Sequence, residues 1–278
     1  MLAVHSASPP AQPYLTGGRG EVKGGGVRGM NEKNNIAPFP SDKKRLAVII
    51  PYRDRLDHLR QFAPCLQNYL IQDPICQSID VEFHLVEQYG VESFNRGFLK
   101  NVGSRLAARN CDYFCFHDID YLPINADYSW SDKPTRLIWH GLTLREDYDA
   151  FFGGVIIIPR SVFLRVNGYP NCYWGWGPED LELALRCRSR GFEIAKRDGV
   201  YQSLPHKHNG FIAQGVYTDE ATSTSKVFFE RQSSFSEWID RDGVNNARFT
   251  LKWSDPLSVD GVEFPNWRHH LVKLGGQP

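Results

Sequence analysis

The run Leu46 to Ile50, inside "RLAVIIPYRDRLDHLRQF", is apolar at every position, and Pro51 closes it. Side chains alternate between the two faces of a strand, so a strand apolar throughout must be covered on both. This run therefore demands helices on either side of a sheet, and the residues that follow supply them. A helix is expected from about Leu56 to Leu70, a second strand at "VEFHLVEQ" (81–88), an amphipathic helix at "SFNRGFLKNVGSRLAARN" (93–110) and a third strand in "DYFCFHDID" (112–120). "FFGGVIIIPRSVFLRVNGYP" (151–170) reads as an apolar strand and a short helix. "PEDLELALRCRSRG" (178–191) reads as a helix opened by Pro178, with acids in its first turn, basic residues in its last and Gly191 as terminator. Such alternation predicts an α/β fold, a doubly wound and mostly parallel sheet whose ligands collect beyond the carboxyl ends of the strands. Arg53, Arg55, Asp118 and Asp120 all fall just past such ends.

Residues 1–44 are rich in Gly, Pro, Ser and Asn and carry too little apolar surface to offset the entropy of ordering, so a disordered tail is expected there. One domain is expected over 45–278, in two halves, 45–150 and 151–278. Patterns such as "ARFTLKW" (247–253) suggest edge strands or a C-terminal lobe. The formal charge is zero, so nothing in it calls for nucleic acid or an anionic membrane. Six cysteines without CxxC spacing read as free thiols, with Cys65 and Cys76 the pair open to oxidation. No apolar run approaches the roughly 18 residues of a membrane span, and a soluble cytoplasmic protein is expected.

Three short stretches carry candidate chemistry. In "FHDIDYLP" (116–123), Asp118 and Asp120 share a side if the segment is extended; they repel each other unless a cation stands between them. A turn cap beside a solvated acid explains the same pattern. In "PHKHNG" (205–210), His206 and His208 are again two apart, which suits either a surface turn or a divalent metal with open oxygen positions, Mn²⁺ rather than a closed Zn²⁺ site. In "YWGWGPEDLELALRC" (173–187), Trp174 and Trp176 alternate with glycines ahead of Glu179 and Asp180. Acids favour the positive end of a helix dipole, and Trp176 against Leu181 makes a hydrophobic staple. The sharper alternative is a mobile flap with an acid at its base.

The order of "IIPYRDRLDHL", "FNRGFLKNVG", "FHDIDYLP", "FFGGV", "NGYPNCYWGWGPEDLE" and "HKH" over about residues 46–210 resembles the β-1,4-galactosyltransferase family. The His-x-His element is similar to the branch that galactosylates xylose, and the chain resembles a bacterial-type relative. The resemblance implies a GT-A-like fold of the nucleotide-diphospho-sugar transferase type and an inverting transfer from a UDP-sugar to a glycan or glycoside hydroxyl. It implies that Asp120, His206 and His208 hold Mn²⁺, and that Arg53, Arg55, Phe94 and Arg96 bind the nucleotide, Phe94 by stacking on uracil. Asp118 would reach donor hydroxyls, and Gly153 and Gly154 would admit the donor to the backbone. Glu179 would bind the transferred sugar, Asp180 would be the general base, and Trp176 would ride on a closing flap.

Two positions depart from the family pattern. Leu181 stands where a further Asp usually binds the acceptor, which leaves the acceptor open. Phe151 stands where galactose-using members often carry Tyr, which leaves UDP-galactose, UDP-GalNAc and UDP-glucose open. A metal-dependent hydrolase and a non-catalytic sugar-binding module of the same fold are the alternative readings.

Overall fold

The computed structural model describes residues 43–74, 76–107, 111–140, 152–175, 177–205, 211–213, 216–217, 219–232 and 234–275. The tail up to residue 42, Phe151, Trp176, His206 and His208 lie outside the described residues. Residues 41–278 form one compact unit.

Strand β1 (Lys44–Tyr52) pairs in parallel with β2 (Ile79–Gln88) on one side and β3 (Tyr113–His117) on the other. From Leu46 to Ile50 its residues are 0% exposed, as an apolar run in mid-sheet requires. Its alternate side chains part as the pleat dictates. Leu46, Val48 and Ile50 pack with Leu59, Phe62, Leu66 and Leu70 of α1 (Leu56–Gln72). Ala47 and Ile49 pack with Phe98, Leu99 and Val102 of α2 (Arg96–Leu106) on the opposite face. Each large side chain so buried contributes roughly 1.5–3 kcal/mol before ordering entropy is charged against it.

The other strands are β4 (Tyr121–Asn125), β5 (Thr135–His140), β6 (Val155–Pro159), β7 (Ala195–Ser203), β8 (Phe211–Ala213), β9 (Val216–Tyr217), β10 (Phe249–Val259) and β11 (Val262–Leu274). The remaining helices are α3 (Arg160–Arg165), α4 (Glu179–Ser189), α5 (Asp219–Gln232) and α6 (Phe235–Arg241). Among the described residues nine strands form one sheet in the order β10-β11-β2-β1-β3-β6-β5-β7-β4, with β8 and β9 paired separately. The block β11-β2-β1-β3 is parallel. Strand β6 runs antiparallel to both β3 and β5, and β4–β7 and β10–β11 are antiparallel pairs, so the parallel core sits in a mixed sheet.

The expected edge strand around 247–253 is β10, at one end of the sheet. Strand β11 joins β2 through Trp267, fully buried and stacked on Phe83 at 4.4 Å between ring centroids. Helix α4 begins one residue later than expected: Pro178 takes the N-cap position, with φ −85° and ψ 32°. Gly191, with φ +80°, ends it as expected. Cys65 is a free thiol. Among the described residues no helix is long and apolar enough to cross a membrane.

Candidate active site

At the end of β3 the chain turns sharply. Asp118 donates its backbone N–H to the Gly154 carbonyl at 2.9 Å, and Tyr121 donates its own to the Asp118 carbonyl at 3.4 Å. Asp118 and Asp120 therefore stand in a tight turn and not in the extended segment expected, because β3 is released after His117. Both are nonetheless buried, at 8% exposure. Gly154, with φ +71°, allows this approach; a Cβ there would meet Ile138 at 2.7 Å and the Tyr121 ring at 3.3 Å. His117 is fully buried, its ring held between the Asp118 carbonyl and the Tyr128 hydroxyl at 2.9 Å each. Burial lowers its pKa to about 4, so the ring is neutral at pH 7.

The start of α2 is fastened beside this turn. The Asn95 side chain caps the helix by accepting from Phe98 N–H at 2.9 Å and donates to the Asn171 carbonyl at 2.7 Å. Gly97 lets the start of α4 come close, since a Cβ would lie 2.9 Å from the Pro170 carbonyl and 3.2 Å from Cβ of Glu179. Arg96 exploits that approach. Its Nε donates to Glu179 at 2.5 Å, Nη1 to Asp118 at 2.7 Å and Nη2 to Asp180 at 3.0 Å. One helical turn on, Lys100 Nζ lies 3.2 Å from Asp180, 3.6 Å from Asp118 and 4.8 Å from the centroid of the Tyr169 ring.

Three buried carboxylates thus face two cations. Burial pushes Asp118 up, but Arg96 and Lys100 outweigh it and hold its carboxyl below the usual range. Glu179 moves the other way: burial and the neighbouring Asp180 prevail over Arg96. Burial opposes the charge of Arg96, yet Asp118, Glu179 and Asp180 more than restore it. Among the described residues the cluster keeps a surplus of negative charge, which suits a cation or a hydroxyl-rich ligand.

Other expected residues stand at the same end of the neighbouring strands. Arg53 lies 5.4 Å over the Phe94 ring and donates to the Glu92 carbonyl at 2.6 Å. The Phe94 carbonyl accepts from Gly175 N–H at 2.8 Å, which anchors the Trp-Gly segment to the start of α2. Arg55 stands at the N-cap position of α1, half-buried. Gly153 is buried beside Gly154 just ahead of β6. The Asp120 carbonyl accepts from Leu204 N–H at 2.7 Å. That bond holds the end of β7 and Leu204 against the Asp118–Asp120 turn. Among the described residues no three His, Cys, Asp or Glu side chains are arranged to hold a metal ion by themselves, and two of the three expected ligands lie outside them. Lys100, His117 and Tyr169 were not expected at the site. Lys100 had a legible signal, its i,i+4 spacing from Arg96 on α2.

Residues 30–131 match the family model described as the N-terminal region of glycosyl transferase group 7, and residues 137–209 the one described as the N-terminal domain of galactosyltransferase. The β-1,4-galactosyltransferase 5 of Sus scrofa is 36% identical over 224 residues, 76% of this chain and 53% of that protein. The chain belongs to the β-1,4-galactosyltransferase family. Likeness also extends to the β-1,4-galactosyltransferase 7 of Drosophila melanogaster, 29% identical over 226 residues, 78% of this chain and 66% of the relative. The catalytic domain of Drosophila β-1,4-galactosyltransferase 7, solved with xylobiose, superposes with a TM-score of 0.65 at 25% identity, covering 84% of this chain and 95% of that one. A mutant of the same enzyme, solved with manganese, UDP-Gal and xylobiose, superposes at 0.63 and 25% identity, with the same coverage. The fold is the GT-A-like one expected. The chain spans about half the length of the first curated relatives it matches.

Proposed function

We propose that this member of the β-1,4-galactosyltransferase family is an inverting, Mn²⁺-dependent glycosyltransferase that moves a hexose, galactose foremost, from a UDP-sugar to a sugar hydroxyl. The observation that carries the reading is the Arg96-centred cluster, where Asp118, Glu179 and Asp180 converge from two elements within reach of one guanidinium. The family's solved relative with manganese, UDP-Gal and xylobiose supports the choice of donor, metal and acceptor class.

Asp120 would hold the metal together with His206 and His208; the Leu204 bond to the Asp120 carbonyl and the negative surplus of the cluster fit a divalent cation there. When bound, Mn²⁺ supplies charge neutralisation at the departing diphosphate. Arg53, Arg55, Phe94 and Arg96 line the nucleotide side, with the Phe94 ring for uracil. Gly153 and Gly154 leave room for the donor at the backbone. Asp118 and Glu179 bind hydroxyls of the donor and of the transferred sugar. Asp180 takes the acceptor's proton as its oxygen attacks the anomeric carbon from the face opposite UDP; the bond from that carbon to the diphosphate oxygen breaks, and its electron pair leaves with UDP. Trp176 belongs to the flap that keeps water out. Leu181, half-buried beside Asp180, leaves acceptor choice to other groups. We also place the chain in the cytoplasm; the free thiols of Cys65, Cys111, Cys115, Cys172 and Cys187 suit a reducing compartment.

A UDP-release assay across UDP-sugars and acceptor glycosides, with and without Mn²⁺, tests the reading. Turnover that needs UDP-Gal, acceptor and Mn²⁺ together is expected. Equal UDP release without acceptor would make the protein a hydrolase, and no turnover of any UDP-sugar would leave a binding module.

A further inference from the structure

Arg96 and Lys100 project from one face of α2 but differ in depth. A third of the Arg96 side chain is exposed, against 1% for Lys100. The two cations divide the oxygens of each aspartate between them. On Asp180, Oδ2 meets Arg96 at 3.0 Å and Oδ1 meets Lys100 at 3.2 Å; on Asp118, Oδ2 meets Arg96 at 2.7 Å and Oδ1 faces Lys100 at 3.6 Å. Arg96 is the cation that solvent, and therefore a ligand phosphate, can reach. Lys100 is shut in, with the face of the Tyr169 ring, fully buried, 4.8 Å from its ammonium.

We propose that Lys100 is a positioning residue for sugar transfer: it is the fixed counter-cation that keeps Asp180 aimed at the acceptor while Arg96 is drawn toward the donor. The inference rests on the transferase reading above. A guanidinium that turns to a diphosphate gives up hydrogen bonds it now spends on carboxylates, and the Asp180 contact is the longest of its three. Among the described residues Asp180 then keeps only the contact to Lys100. Without that contact a buried carboxylate would stand beside Asp118 and Glu179 with nothing to hold it, and like-charge repulsion would swing it out of line. A misplacement of about 1 Å at a reacting group costs on the order of 100-fold in rate. The loss would fall on the ternary complex and leave donor binding intact, because Lys100 is too deep to touch the nucleotide and Asp118, which it faces at 3.6 Å, keeps its shorter 2.7 Å bond to Arg96.

Lys100→Met, Lys100→Arg and the wild type are compared by kcat, by KM for the UDP-sugar and by thermal unfolding. We expect kcat of Lys100→Met to fall roughly 30- to 100-fold, with KM for the donor within about threefold of wild type, and Lys100→Arg to recover most of the rate. Wild-type kcat in Lys100→Met, an equal loss in both variants, or a loss carried by donor KM would overturn the assignment. If Lys100→Met does not fold, Lys100→Gln, which keeps a donor without the charge, takes its place, and the same outcomes support or overturn the assignment. A wild-type protein that turns over no UDP-sugar overturns the transferase reading itself, whereas a working transferase indifferent to Lys100 overturns this inference alone.

Discussion

Helix α4 carries two buried charge clusters three residues apart, and they are built differently. Around Glu182 and Asp242 stand Arg186 and Arg231, two acids matched by two bases, with the Tyr173 hydroxyl donating to Glu182 at 2.6 Å. Around Glu179 and Asp180, with Asp118, stand Arg96 and Lys100, three acids against two bases. Two glutamates on one helix are consequently driven in opposite directions. Burial raises both, but Arg186 and Arg231 outweigh it at Glu182 and hold that carboxyl low, while Glu179 stays raised. The matched cluster is closed and holds α4 to α5. Among the described residues the other keeps one acid more than its bases, a surplus that suits a ligand where a strut would have none.

The largest effect expected from this contrast is on rate. Asp180→Asn should lower kcat by about 10³-fold, within the usual contribution of a general base, with the unfolding midpoint near that of wild type. Transfer at wild-type rate would remove Asp180 from the mechanism and the contrast with it.

Stability should separate the two glutamates next. Glu182→Gln leaves the buried Arg186 without its carboxylate partner among the described residues and Arg231 with Asp242 alone, and equilibrium denaturation should show a loss of about 3 kcal/mol. Glu179→Gln removes the acid that burial already disfavours, and the same measurement should move by less than about 1 kcal/mol. Equal losses would mean that both clusters are struts.

A pH dependence comes from two buried histidines, one of them beside the Asp118 cluster. His117 is lowered to about 4 by burial. His270 is lowered to about 3 by burial and by His84, whose Nδ1 lies 3.0 Å from its Nε2. The unfolded chain takes up these protons near pH 6.5 and the folded one does not, so their contribution is complete above about pH 6.5 and is lost as pH falls. By pH 5 each should have cost about 2 kcal/mol, seen as a falling unfolding midpoint in wild type. That fall should persist in Glu179→Gln, and a flat profile from pH 7 to 5 would show that neither ring is shielded as the structure places it.

Much of this architecture was legible in the chain. The apolar run at Leu46 to Ile50 called for cover on both faces, and α1 and α2 provide it. The strand ends, the helix stopped by Gly191 and the motif order that marks the family could be read in the same way. Asp118 and Asp120 were located correctly along the chain but given the wrong local form, since a two-residue alternation cannot tell the last pleat of a strand from the turn that follows it. The antiparallel course of β6 was also hidden, because an apolar run carries no sign of its direction.

The sequence by itself determined which residues are apolar enough to be core and which carboxylates, imidazoles and arginines are available for chemistry, because pattern and residue type are local properties. Only the tertiary structure decided that Arg96 spans acids 22, 83 and 84 residues away, and that Lys100, one turn along the same helix, is sealed beneath it. The physical reason is that a charge's worth depends on its distance from other charges and from water. Both distances are set by how α2 and α4 pack at the end of β3.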